Sequence, residues 1–113
     1  MQIEVKGRNC PVTDTLRERT EKRFEKVAKQ VSDLARLEVE LYEERNPANP
    51  DSQVAEVTLY LKGVTLRAKE ATRDMDHSVN LVSEELARQV KRHREKRRKR
   101  REARTQSGIQ PAL

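Results

Sequence analysis

Residues 54–71 read VAEVTLYLKGVTLRAKEA. Apolar side chains alternate through the first half at Val57, Leu59 and Leu61, and through the second at Val64, Leu66 and Ala68. A period of two is that of a strand with one buried face. Only Lys62 and Gly63 separate the two runs, so the stretch reads as an antiparallel hairpin closed by a tight turn.

Working toward the N-terminus, NPANPDS (46–52) is a loop by composition. Before it, RLEVELYEE (36–44) alternates again, with Leu37, Val39 and Leu41 inward. At the start of the chain, QIEVKGR (2–8) sets Ile3 and Val5 against Glu4 and Lys6, a fourth half-buried strand.

Between the first and second strands lies VTDTLRERTEKRFEKVAKQVSDL (12–34). Leu16, Phe24, Val27, Val31 and Leu34 share one helical stripe, with Thr20 filling a gap. Thr13 is an N-cap by type, and Thr15 with Glu18 offers a capping box one step later. The spacing predicts one helix running to about Val31. After the hairpin, Met75, Val79, Val82, Leu86 and Val90 repeat at helical spacing from about Asp74. Asp74 and Asp76 complement the positive end of that helix's dipole.

The order is therefore β-α-β-β-β-α, an α+β fold. The first strand–helix–strand unit is expected to give a parallel pair, and the remaining neighbours are antiparallel. Both helices must bury their stripes, so they are expected side by side on one face of a four-stranded mixed sheet. The other face would then show Glu4, Lys6, Glu38, Glu40, Tyr42, Thr58, Tyr60, Arg67 and Lys69 to solvent.

The chain's 113 residues, 34% of them apolar and none Trp, suit one small domain. The formal charge is +6, unevenly placed. Residues 91–113 hold ten Lys/Arg and two Glu, whereas residues 1–90 are slightly acidic. After Val90 the apolar stripe ends while good helix formers continue in KRHREKRRKRRE (91–102), which has no apolar residue. We expect an α/β domain over 1–95 and, over 96–113, a basic helical extension that frays before TQSGIQPAL into a flexible tail.

A positive surface of this kind calls for an acidic partner. On a helical wheel with Leu16 at zero, the first helix's apolar stripe covers about 0–80°. Arg19, Lys22, Arg23, Lys26 and Lys29 fall at about 220–340°, and Asp14, Glu18, Glu21 and Glu25 at about 140–200°. A helix charged for solubility alone mixes its signs on every side; here one whole flank beside the core stripe is basic. The second helix adds Arg88, Lys91, Arg92, Arg94 and Lys96, and two helices packed together would merge both sets into one phosphate-binding surface.

Other chemistries find little support. The single cysteine, Cys10, excludes an internal disulfide, and two histidines and one cysteine far apart in sequence make no metal set. Cys10 reads as a small buried side chain, and His77 and His93 as surface residues. There is no glycine-rich phosphate loop and no His beside a nucleophile, so neither enzyme activity, nor a cofactor, nor a small-molecule substrate is expected. Ala103 is the one apolar residue of 91–104, too little for insertion into a membrane. With no long apolar run at the start, the chain is expected in the cytoplasm. A double-stranded-RNA domain would start its second helix with lysines, whereas here the start is DMDHS. Single-strand readers need exposed aromatics on the sheet, and only Tyr42 and Tyr60 stand there, beside acids. What is left is a binder of structured RNA by shape and charge.

Two stretches, IEVKGRNCPVTDTLRERTEKRFEKV (3–27) and AEVTLYLKGVTLRAKEATRDMDHSVNLVSEELARQVKRHREK (55–96), resemble the ribosome hibernation-promoting factors, also called the ribosome-associated inhibitor A or sigma-54 modulation family. The resemblance rests on GRN followed by VTD, the LKG hairpin, DM opening the last helix, and Leu86 to Gln89 leading into basic residues. It implies binding to the small ribosomal subunit, against 16S rRNA at the decoding centre in the mRNA and tRNA channel, with translation inhibited in stress or stationary phase. The family's rRNA contacts map onto Arg19, Lys22, Arg23, Lys26, Lys29, Arg88, Lys91, Arg92, Arg94 and Lys96, and secondarily onto Lys62, Arg67 and Lys69. Long members carry a C-terminal dimerisation domain with no counterpart in these residues, so homodimerisation stays open. The alternative from another class is a general structured-RNA-binding module or RNA chaperone. The run Lys96–Arg101 is denser in charge than the resemblance implies and would follow RNA beyond the usual footprint.

Overall fold

A computed structural model describes residues 1–109, with 104–109 as backbone alone. The elements are β1 (Gln2–Arg8), α1 (Asp14–Arg23), α2 (Glu25–Ala28), β2 (Arg36–Glu43), β3 (Gln53–Leu61), β4 (Val64–Thr72) and α3 (Met75–Ile109). The strands form one sheet in the order β1-β2-β3-β4. β1 pairs parallel with β2, Ile3 opposite Leu37 and Val5 opposite Val39. β2–β3 and β3–β4 are antiparallel, with Leu37 opposite Leu59 and Val57 opposite Ala68. The hairpin turns at Gly63, whose φ of 79° is the left-handed conformation that glycine adopts without strain.

One face of the sheet and all three helices share a single core. Val5, Leu37, Val39, Leu41, Ala55, Val57 and Leu59 from the sheet meet Phe24 and Val27 from the first helical segment and Val79, Val82, Leu86 and Val90 from α3. The expected side-by-side helices on one face of a mixed sheet are what the structure has.

The GRN stretch has a steric basis. A Cβ on Gly7 would run into the Cys10 carbonyl and lie 2.8 Å from Val12 Cγ2, so the chain folds back against bare backbone there. Asn9 takes a left-handed φ of 53°, which asparagine tolerates better than most residues. Thr13 then caps α1, its Oγ1 accepting from the Leu16 N–H at 3.1 Å.

Three expectations are corrected. The first helix is not a single run to Val31. Phe24, at φ −96° and ψ 4°, breaks it, and the short α2 ends at Ala28. The chain stops there because turn bonds replace helical ones. Gln30 N–H donates to the Val27 carbonyl at 3.0 Å, and the Ser32 hydroxyl accepts from the Leu34 N–H at 3.1 Å. A serine that binds nearby backbone in this way competes with the helix. The same turn swings Leu34 off the stripe, leaving it 94% exposed while Ala35 is buried. Finally, Tyr42 lies on the outer face of the sheet but is only 6% exposed. The Arg8 guanidinium sits 4.1 Å from its ring centroid and the Lys69 ammonium 5.9 Å, a cation–π cover over the ring.

α3 passes its last buried residue, Val90, and stays helical through Thr105–Ile109, where fraying was expected. Residues 110–113, part of the expected flexible tail, lie outside the described residues.

Candidate nucleic-acid interface

α1 and α2 both contact α3, and the first helix's basic flank turns toward it. A groove of about 820 Å³ runs between them. Its walls carry Arg19, Lys22, Arg23, Lys26 and Lys29 on one side and Arg88 on the other. Six of the residues singled out in the sequence thus come together in one place. Asn80, Ser83, Glu25 and Glu84 also line it.

The cations differ in how they are held. Arg19 Nη1 donates to Asp76 Oδ2 at 2.8 Å, and Arg23 Nη1 to Asn80 Oδ1 at 3.1 Å. Two of the groove's arginines are therefore tied across it to α3. Among the described residues, Lys22, Lys26 and Lys29 have no carboxylate within salt-bridge distance, which leaves their charge for a partner.

On α3, Glu85 organises the next set. Its carboxylate accepts from Arg88 Nη2 at 2.8 Å and Nε at 3.0 Å, from Gln89 at 3.4 Å and from Arg92 at 3.5 Å. The Arg88 bonds, then the Gln89 bond, hold the Glu85 carboxyl below the usual carboxylate range. Gln89 also donates to the Arg67 carbonyl at 2.9 Å, pinning α3 to the edge strand.

Beyond the groove, Lys91 and Arg94 face one cleft and Arg92 and Lys96 another, with Lys62 of the β3–β4 turn lining both. Arg67 and Lys69 are set apart. They alternate with the inward Ala68, so their side chains project from the face of the sheet opposite the helices. There the Tyr42 hydroxyl keeps the Lys69 ammonium above its ordinary pKa.

The sequence reading missed the carboxylates and amide that position these arginines. Glu85 was within reach, since i,i+3 spacing to Arg88 is a helix signal. Arg19–Asp76 and Arg23–Asn80 each join residues 57 apart, and no local pattern announces such pairs. Among the described residues no group of His, Cys, Asp or Glu could hold a metal ion, and no helix is long and apolar enough to cross a membrane.

The fold and the groove define a class: a two-layer α+β domain with a concave basic face between its helices. Residues 3–98 match the family model described as sigma 54 modulation protein / S30EA ribosomal protein, and the chain belongs to that family. Membership places it among binding proteins rather than enzymes. It is 33% identical over 97 residues to a ribosome hibernation promotion factor of Picosynechococcus sp., an alignment covering 85% of this chain and 50% of the relative. It is 32% identical over 98 residues to the protein of that name from Lactococcus lactis subsp. cremoris, covering 83% and 50%. The chain thus spans about half the length of the curated relatives it matches. Among solved structures, the Thermus thermophilus Protein Y N-terminal domain superposes with a TM-score of 0.71 at 26% identity, over 82% of this chain and 99% of that one. A ribosomal subunit interface protein from Coxiella burnetii shares the fold, with a TM-score of 0.69 at 22% identity, over 83% and 98%.

Proposed function

We propose that the chain is a ribosome hibernation factor that binds the small ribosomal subunit. It lies against 16S rRNA in the mRNA and tRNA channel at the decoding centre and inhibits translation in stress or stationary phase. The observation that carries this reading is the groove, where cations from all three helices converge and three lysines have no carboxylate within salt-bridge distance among the described residues. Such a surface exchanges condensed counterions for phosphates, and its arginines suit bidentate phosphate contacts. The names of the curated relatives support a ribosomal partner. No chemistry is required: occupancy excludes mRNA and tRNA by overlap, so inhibition is stoichiometric with ribosomes and reversible. The protein then resides in the cytoplasm with ribosomes and needs no cofactor.

Sedimentation of lysate from starved cells on a sucrose gradient tests the reading. Co-migration with small subunits or whole ribosomes is the expected result. A spread through free RNA fractions would replace it with a general structured-RNA-binding module or RNA chaperone, a reading favoured by the cations that surround the axis of α3 beyond Val90.

A further inference from the structure

β4 is an edge strand, with β3 as its one neighbour among the described residues. The two strands are joined through Lys62 and Gly63 alone, so Leu61 and Val64 form the bonded pair that closes the turn. Bonded pairs then alternate along the register through Leu59–Leu66, Val57–Ala68 and Ala55–Glu70. Thr65, Arg67, Lys69 and Ala71 fall in the other pairs, so their N–H and C=O groups turn off the edge of the sheet. Arg67 shows the direction: its carbonyl accepts from Gln89 Nε2 at 2.9 Å. Among the described residues, no other of these outward groups has a hydrogen-bond partner.

α3 runs beside this edge and leaves a cleft of about 910 Å³. Half-buried Val64 and Leu66 form its floor. Gln89, Arg92, Lys96 and Arg100, at spacings of three, four and four, share one face of α3 and form its wall. Arg92 is paired with Glu85 at 3.5 Å, whereas Lys96 and Arg100 have no carboxylate within salt-bridge distance among the described residues. Nothing stands within 4 Å of where a Gly63 Cβ would be, so the end of the cleft at the turn is open. On the face of the sheet away from the helices, the same edge carries Arg67 and Lys69, both exposed.

We propose that the β4 edge is a docking site for an extended acidic segment of another protein, which adds to the sheet as a further strand in the cleft beside α3. The edge offers N–H and C=O groups in alternation, and a polypeptide strand satisfies both. Phosphate oxygens only accept, so a phosphodiester backbone would leave the outward carbonyls of Thr65, Lys69 and Ala71 without donors. Successive residues of an added strand point to opposite faces. Those on the helix side meet Val64 and Leu66, and those on the other side meet Arg67 and Lys69, so the matching segment alternates apolar residues with acids. A second copy of β4 is the poorer occupant, because pairing the strand with itself sets Arg67 and Lys69 against like charges. Cations on an edge repel such a strand and attract an acidic one. The site is distinct from the groove between the helices and stands whatever that groove binds.

The test uses the full chain and a fluorescein-labelled peptide of alternating glutamate and valine, EVEVEVE. Binding is followed by fluorescence anisotropy and backbone amide exchange by NMR. Saturable binding is expected, with slower exchange at the Thr65, Arg67 and Lys69 amides. The lysine counterpart KVKVKVK and a fully N-methylated EVEVEVE should each bind at least about tenfold more weakly, since one loses the charge match and the other its ladder donors. Thr65→Pro removes an outward donor and leaves the β3–β4 bonds in place, so the fold is expected to hold. It should weaken EVEVEVE binding and leave affinity for an RNA hairpin unchanged. Absence of saturable binding overturns the proposal, and so does equal binding of the N-methylated peptide, which would show attraction by charge alone. Loss of hairpin binding in Thr65→Pro, with no binding of the peptide, would make the cleft a nucleic-acid surface and overturn it as well. Protection of these amides that rises with protein concentration alone would assign the edge to a second copy instead. Should Thr65→Pro fail to fold, the exchange pattern and the N-methylated peptide decide the matter on the unmodified chain.

Discussion

Arg19 and Asp76 stand 57 positions apart in sequence, yet Nη1 of one lies 2.8 Å from Oδ2 of the other. The pair joins the basic flank of α1 to the first turn of α3, where an acid also suits the helix dipole. Both side chains are about half exposed, so the pair contributes only about 0–1 kcal/mol to stability. Its larger effect is to occupy a cation at the mouth of the groove. Asp76→Asn should leave the melting temperature nearly unchanged and raise affinity for small subunits at low salt. The salt slope should steepen by at most about one contact, ~0.7 to 0.9. A fall in affinity would mean that the carboxylate is needed to aim Arg19 at its phosphate.

The lysines without internal partners make a cleaner case. Lys22→Glu/Lys26→Glu removes two groove cations that lie off the apolar stripe, so the fold should hold while ribosome binding weakens. Glu18→Lys/Glu21→Lys changes as much charge on the acidic flank and should alter binding far less. Quantitative co-sedimentation of both variants decides the matter. Equal losses would show that only net charge matters and that the groove has no direction.

Glu85 gives a pH signature. Its folded-state pKa lies below the ordinary one, chiefly because of the Arg88 bonds. Its contribution to stability is therefore fully present above the unfolded carboxylate pKa of about 4.3 and is lost as the pH falls through the lower folded value. Glu85→Gln should melt slightly lower than the unmodified protein at neutral pH, and the gap should close in strong acid. A gap that persists there would mean that the variant disturbs packing rather than ion pairing.

Gly7 tests the steric reading of the GRN stretch. A Cβ there meets the Cys10 carbonyl, which is backbone and cannot rotate aside. Gly7→Ala should cost about 1–3 kcal/mol, the usual range for overpacking, seen as a lower denaturant midpoint. An unchanged midpoint would show that the Cys10–Pro11 segment yields freely.

What was legible in the sequence follows from the range of the forces involved. The 54–71 hairpin and the α3 stripe were plain because periodicity records which side of an element meets the core: Val57, Leu59, Ala68, Val79, Val82, Leu86 and Val90 are buried where they were expected, while Leu61, Val64, Leu66 and Met75 are half-buried. The basic flank of α1 was plain for the same reason. Leu34 was misjudged because a single Ser32 turn outweighs the helical period at the end of an element. Tyr42 was misjudged because alternation assigns it to the outer face but says nothing about Arg8 and Lys69 closing over it. The cleft at Lys62 needed the structure, since it exists only where the end of the sheet meets a helix that runs past it.

That overhang carries the last prediction. Deleting residues 96–113 removes seven Lys/Arg and Glu102 but no buried core residue, because the core ends at Val90. The melting temperature should stay nearly constant. Circular dichroism should lose the helix signal of the α3 segment from Lys96 to Ile109. A shortened chain that unfolds would mean that the overhang stabilises the body through contacts with the β3–β4 turn. If roughly four of the deleted charges meet phosphate, the slope of log affinity against log salt should flatten by about three units at ~0.7 to 0.9 per contact. An unchanged salt slope would mean that the overhang meets no phosphate and serves only as a solubilising tail.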